Sequence, residues 1–185
     1  GHVGPANEEL DYMEEPGEEG QEWSPCGMQQ IFDCPQMGGL TVAAEICEDL
    51  WVPQPPSITQ AIAGANVIVN LSASDEITGK DSYRRNLVGG QSARLVCGYI
   101  YADAGEGESS TDLIFAAHKL IAENGTILAK SKRFENEIVK ADLAIHRIRA
   151  ERRRMTTYQT PQKENDWTEF EQKRKSQNRR ERVQR

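Results

Sequence analysis

Three short runs of apolar and β-branched residues, at 40–46, 66–71 and 96–102, are separated by two segments with helical spacing, and this alternation constrains the fold most. Each run has strand rather than helix length and reads as a buried strand. Between the first two, Ser57 can cap a short helix through Ala63, with Gly64 as its stop. Between the second and third, Asp81 or Ser82 can start a helix carrying Tyr83, Leu87, Ala93 and Leu95 at helical intervals. Gly89-Gly90 weakens the centre of that helix by about 1 kcal/mol per glycine. Strand–helix–strand units in succession imply an α/β sheet.

Further elements flank this centre. Gln30-Ile-Phe-Asp33 reads as a short strand and residues 34–39 as a turn, the first run ending at Cys47. Asn124-Gly125 supplies the two positive φ angles of a tight hairpin, so strands near 113–115, 119–122 and 126–129 should be antiparallel. An edge strand at 138–143 and an Arg-rich helix at 144–155 complete the reading. The sheet should therefore be mixed.

Charge divides the chain. Eight carboxylates lie between Glu8 and Glu22, and no Lys or Arg precedes Lys80, whereas thirteen basic residues face six acidic ones from Arg147 onward. With 37% hydrophobic residues and a mean hydropathy of −0.67, the core should be small and the ends polar. Residues 1–27 read as an acidic, disordered arm, 28–155 as the carboxyl-terminal folded part and 156–185 as a charged linker or frayed helix. No run approaches the roughly 18 apolar residues of a membrane span, and residues 1–20 lack a signal-peptide core, so a soluble, cytoplasmic chain is expected. Arg152-Arg-Arg154 and Lys173-Arg-Lys175 are interleaved with Glu and lack a stacking platform. They suit a solvated helix face better than nucleic acid. The cysteines, Cys26, Cys34, Cys47 and Cys97, are 8, 13 and 50 positions apart, which excludes a CxxC pair, and His118 and His146 show no ligand spacing; no metal is expected.

The segment Glu45-Ile-Cys47-Glu48-Asp49-Leu-Trp51 sets a cysteine where an apolar strand gives way to polar residues and prolines. Catalytic groups of α/β sheets collect at the carboxyl ends of strands. The residues alone favour an inert buried cysteine, and two adjacent carboxylates disfavour a thiolate, so a nucleophile here needs a cation from elsewhere. Asp75 and Glu76 stand in a loop, where solvation explains them as well as acid chemistry does. Residues 104–111 are Gly- and Ser-rich but lack the Gly-Lys-Ser/Thr ending of a phosphate loop.

A longer series resembles a known family. Glu45-Ile-Cys-Glu-Asp-Leu-Trp-Val-Pro53, Pro55-Pro-Ser57, Val67-Ile-Val-Asn-Leu-Ser-Ala-Ser74, Gly79-Lys80, Tyr83-Arg-Arg-Asn-Leu-Val88, Gln91-Ser-Ala-Arg94, Tyr99-Ile-Tyr-Ala102 and Ala104-Gly-Glu-Gly-Glu-Ser-Ser-Thr-Asp-Leu113 are similar, in order and spacing, to the nitrilase-type glutaminase domain of glutamine-dependent NAD synthetase. The likeness runs from about residue 38 to residue 155. It implies a carbon–nitrogen hydrolase fold, an αββα sandwich, here incomplete, with a Glu, Lys, Cys catalytic set in that chain order.

On this resemblance Cys47 is the nucleophile, attacking the side-chain amide of glutamine, and the backbone N–H of Glu48 serves the oxyanion hole. Ser74 and Lys80 fall where the amino-acid end of glutamine is held; some relatives carry Arg at the Lys80 position. ATP and Mg belong to the family's synthetase domain, and homo-oligomers are common in it. The family's lysine precedes the cysteine, and this chain has no lysine there, nor a Ser-Gly-Gly-x-Asp-Ser pyrophosphate loop. Expected partners are thus glutamine and a synthetase domain. A stand-alone carbon–nitrogen hydrolase (amidase or nitrilase) and a non-catalytic interaction protein are the alternatives.

Overall fold

The computed structural model describes residues 11–14, 23–27, 29–108 and 112–158, with the backbone alone for 11–14 and 23–26. Strands β1 (Asp11–Glu14) and β2 (Trp23–Cys26) pair antiparallel as a separate two-stranded ribbon. The remainder of the acidic arm, and the tail from residue 159, lie outside the described residues.

Six strands form the main sheet, in spatial order β3 (Ile31–Cys34), β4 (Leu40–Ile46), β5 (Val67–Ser72), β6 (Gly98–Asp103), β7 (Lys119–Glu123) and β8 (Thr126–Lys130). The three runs singled out in the sequence are β4, β5 and β6, and they are parallel. β3 joins β4 antiparallel, and β7 and β8 extend the other side antiparallel, which gives the expected mixed sheet. Asn124 and Gly125 take φ angles of 43° and 88°, both positive as their hairpin requires.

Helices α1 (Pro56–Ile62) and α2 (Lys80–Leu95) are the two crossovers. α1 packs on β4 and β5, and α2 on β6, β7 and β8. One hand of crossover places both on the same face. That face carries Ala43, Ile68, Tyr99, Tyr101, Leu120 and Ala122, which form the core with Ala61, Val88 and Leu95 from the helices. The opposite face is open: Phe32, Ile46 and Leu71 are 54%, 57% and 61% exposed. Strand alternation explains the division, since residue pairs such as Ile46 and Leu71 stand side by side and point away from the helices.

Local sequence readings are corrected in several places. Ser57 does not cap α1: the helix starts at Pro56, whose fixed φ suits a first turn, and the Ser57 N–H goes to the Glu45 carboxylate. β6 starts two residues later than expected because Val96 turns left-handed (φ 46°) to end α2. Residues 113–115 do not form a strand; Phe115 makes an isolated bridge with Asp75, and Ala117 (φ 53°) breaks the extended path. Nor do residues 138–143 pair at an edge.

Those residues alternate in burial, and the Leu143 methyls lie against Gly98 on the open face. Helix α3 (Ile145–Arg154) comes next, anchored by buried Ile148. Its Arg152 donates to the carbonyls of Leu95 (3.0 Å), Val96 (2.9 Å) and Ala61 (3.3 Å), capping the carboxyl ends of both crossover helices.

A side chain at Gly98 would meet Leu143 at 2.8 Å and Val67 at 3.3 Å. Gly98→Val should therefore lower stability by about 1–3 kcal/mol in urea unfolding. Adding Leu143→Ala should recover part of that loss, and strictly additive effects would show that Leu143 is not seated there.

Candidate active site

The carboxyl ends of β4, β5 and β6 lie in register, Ile46 beside Leu71 and Leu71 beside Ala102, so the turns and loops leaving these strands emerge at one edge. Cys47 comes directly after β4 and opens a 3-10 turn over Cys47–Leu50. Its φ is 49°, a left-handed conformation that costs a non-glycine residue about 1–2 kcal/mol. The Ile46 N–H donates to Asp49 Oδ2 at 2.7 Å, the Trp51 N–H to the Glu48 carbonyl at 2.8 Å, and Asn70 Nδ2 to the Cys47 carbonyl at 3.4 Å. Bonds of a 3-10 turn join residues three apart, so the first N–H groups of the turn, those of Cys47 and Glu48, have no carbonyl partner within it.

Two residues before the cysteine, Glu45 is buried on the helix face. Its carboxylate accepts the Ser57 N–H at 3.0 Å and the Tyr99 hydroxyl, while Gln91 Nε2 donates to the Ser57 hydroxyl at 2.9 Å. The strand bearing Cys47 is thereby tied to α1, α2 and β6 together. Among the cysteines, Cys97 is fully buried, and burial pushes its thiol up to about 12. Cys47 and Cys34 are half-buried.

Ser74 lies past the end of β5 and is buried; its N–H donates to Asp103 Oδ1 at 2.9 Å, which fastens the loop to the end of β6. Lys80 stands at the start of α2. Its ammonium bonds Asp75 Oδ1 at 2.5 Å and lies 5.9 Å from the Trp51 ring centroid, and Trp51 stacks on Tyr83 with centroids 5.5 Å apart. Through Trp51, one residue past the turn, the Cys47 turn and Lys80 come together. The Lys80 side chain is 16% exposed, and its hydrogen bond holds the Asp75 carboxyl below the usual carboxylate range.

Beneath this edge lies a charge cluster that motif reading missed. Arg84, fully buried, donates to Glu76 Oε2 at 2.9 Å, lies 3.7 Å from Asp103 Oδ2 and meets His118 Nδ1 at 3.1 Å. Arg133 reaches the other Glu76 oxygen at 3.0 Å. Glu76 is thus enclosed, its side chain 5% exposed, and the reading of it as a solvated loop acid is corrected. A guanidinium only donates, so His118 Nδ1 accepts and its proton sits on Nε2, 3.5 Å from Asp81 Oδ1. Burial and the neighbouring Arg84 hold the imidazole below its ordinary range, against Asp81 and Glu76. Burial raises the Asp103 carboxyl, opposed by the Ser74 N–H and Arg84. The signal in the sequence was the spacing of Arg84, Val88, Gln91 and Leu95, a cation within the buried stripe of α2.

Among the described residues, no group of three or more His, Cys, Asp or Glu is placed to hold a metal ion, and no helix is long and apolar enough to cross a membrane.

No protein-family model matches the chain. Over 134 residues it is 43% identical to the glutamine-dependent NAD(+) synthetase of Mycobacterium tuberculosis, a match covering 71% of this chain and 20% of the relative. The structure is similar to that of a glutamine-dependent NAD(+) synthetase from Cytophaga hutchinsonii, with a TM-score of 0.56 and 25% identity over 71% of this chain and 20% of that one. It is also similar to Saccharomyces cerevisiae Nit3, of the nitrilase superfamily, with a TM-score of 0.58 and 20% identity over 77% of this chain and 49% of that one, a likeness of fold alone. The chain spans about a fifth of the length of the curated relatives it matches.

Removing the buried cation should unfold the edge: Arg84→Met leaves Glu76 and Asp103 without it and should cost about 3–5 kcal/mol in equilibrium denaturation. An effect under about 1 kcal/mol would show the cluster to be solvated. His118 contributes with a definite sign. Its folded value lies below the unfolded value of about 6.5, so the unfolded chain binds the proton more readily. Its contribution is present above that pH and is lost as pH falls through the folded value. The stability difference between wild type and His118→Gln should shrink between pH 7 and pH 5; a constant difference would contradict it.

Proposed function

From the premise that this chain is a partial member of the glutamine-dependent NAD(+) synthetase family, built on one layer of a nitrilase-like sandwich, we propose that its site hydrolyses the side-chain amide of glutamine and supplies ammonia. The observation that carries the reading is Cys47, left-handed at the carboxyl edge of the parallel strands, next to a Glu48 N–H that its turn leaves without a carbonyl. A nucleophile and an oxyanion donor on one rigid turn are what attack on an amide carbon requires.

The Cys47 thiolate adds to the amide carbon, and the negative charge moves to the amide oxygen, where the Glu48 N–H can donate to it. The C–N bond then breaks. Nitrogen leaves as ammonia, taking the thiol proton by way of a base, and a glutamyl thioester remains. Water adds to the thioester, and glutamate leaves as the thiol is restored. Lys80 suits the α-carboxylate as a point charge, and the Ser74 hydroxyl suits the α-amino or α-carboxylate group.

The family's catalytic Glu and Lys come from outside the described residues; no lysine precedes Cys47 in this chain. ATP and Mg, on the same reading, belong to the synthetase part. The ATP-dependent conversion of deamido-NAD to NAD by the released ammonia is assigned to a synthetase part outside this chain.

In the longer protein that carries this chain together with a synthetase part, Cys47→Ala should abolish glutamine-supported synthesis, by a factor of roughly 10³ or more, and spare ammonia-supported synthesis. Equal loss of both with the fold intact would count against a dedicated glutaminase. Amide hydrolysis that needs neither ATP nor a dinucleotide, across varied amides, would point instead to a stand-alone carbon–nitrogen hydrolase.

A further inference from the structure

A left-handed cysteine persists only if its surroundings over-determine it. Three contacts hold the turn at Cys47. The bond from Asn70 Nδ2 to the Cys47 carbonyl is long, at 3.4 Å, and the bond from the Trp51 N–H to the Glu48 carbonyl, at 2.8 Å, lies beyond the strained residue. The third spans it: Asp49 Oδ2 accepts the Ile46 N–H at 2.7 Å and so joins the residue before Cys47 to the one two places after. This is one half of a capping box, the third residue of the turn reaching back to the N–H that precedes it.

We propose that Asp49 is a positioning residue for Cys47, holding that residue left-handed so that the thiol and the Glu48 N–H address the same carbonyl carbon and oxygen. The proposal rests on the reading of Cys47 as the nucleophile and extends it to a side chain that touches no reacting atom. The dihedrals of Cys47 set the plane of the peptide between residues 47 and 48, and with it the direction of the Glu48 N–H. Relaxation of Cys47 to an extended or right-handed conformation swings that N–H away from the carbonyl oxygen while the thiol stays accessible.

Loss of Asp49 should therefore separate two properties of one cysteine. Alkylation by a small, unoriented reagent should continue, and reaction with a substrate-shaped reagent should fall. The contribution is one of acceptor geometry, so Asn, whose Oδ1 can accept the same N–H without a charge, should serve in place of Asp. A purely electrostatic role of the carboxylate predicts the reverse, with Asn and Ala alike.

The test uses the longer protein that carries this chain together with a synthetase part, and two probes, iodoacetamide and a diazo-ketone analogue of glutamine, with labelling at Cys47 measured by intact and peptide mass against pH. Wild type, Asp49→Asn and Asp49→Ala are compared, with thermal unfolding as the control for fold. Relative to the iodoacetamide rate, the diazo-ketone rate should fall about tenfold or more in Asp49→Ala and return to near the wild-type ratio in Asp49→Asn. Equal ratios in all three proteins, or equal loss in both variants, would overturn the proposal. Amide exchange at Ile46 gives a second readout that needs no reactive thiol: faster in Asp49→Ala alone supports the positioning role, and the same rate in all three overturns it. Failure of the wild type to favour the diazo-ketone at Cys47 would instead overturn the glutaminase reading, and the exchange data would still decide the role of Asp49.

Discussion

A guanidinium removed from water must find carboxylates, and the site edge of this chain is arranged around that requirement. Arg84 enters from the first turns of α2, Glu76 from the loop after β5, Asp103 from the end of β6 and His118 from the residues before β7. Three other segments converge on the one cation of α2. The desolvation of Arg84 is offset only while all of them are present, so the loop carrying Ser74 is held as firmly as the strands on either side. Asp103 serves twice, facing Arg84 through one oxygen and accepting the Ser74 N–H through the other. Order at the surface of the site thus derives from charge balance beneath it.

The sheet above that cluster is unequal on its two faces. Helices α1 and α2 bury the face carrying Tyr99, Tyr101 and Leu120, and the other leaves Phe32, Ile46 and Leu71 exposed, with Leu143 seated against Gly98 on it. An apolar β face normally packs on something. In the nitrilase-like αββα sandwich a second sheet lies between the two helical layers, and the described main sheet supplies one such layer and its helices. The 138–143 segment alternates in burial as a strand would, yet pairs with no strand among the described residues.

Strand–helix alternation in the sequence was enough for β4, β5 and β6 as buried strands of an α/β sheet, because short β-branched runs and Gly stops act locally. The hairpin at Asn124-Gly125 was legible for the same reason. What local pattern could not supply was tertiary. Ser57 has the chemistry of a helix cap, but its N–H was claimed by Glu45, twelve residues earlier. Glu76 has the look of a loop acid, yet it faces Arg84 and Arg133, and the partner at residue 133 is 57 positions away. Cys47, Ser74 and Lys80 are candidates by resemblance, and what the structure adds is how each is held. Asp49 and Asn70, both inside the quoted motifs, had no assigned part until the left-handed Cys47 was seen.

The cysteines show why position rather than residue type decides chemistry here. Cys97 sits at the carboxyl end of α2, under Arg152 and beside Glu45, where burial keeps the thiol protonated at any physiological pH. Its sulfur is a small apolar group filling the core. Cys34 ends an outer strand next to a 3-10 turn and lies at no junction of parallel strands. Cys47 alone among the described cysteines combines partial exposure, a turn whose first two N–H groups have no carbonyl partner within it, and a rigid base formed by Glu45, Ser57 and Tyr99. A thiol on a mobile loop would share the exposure but not the orientation, and a thiol in the core would share the rigidity but not the access. The end of a parallel strand supplies both, because the sheet fixes the residue before the turn while the turn faces outward.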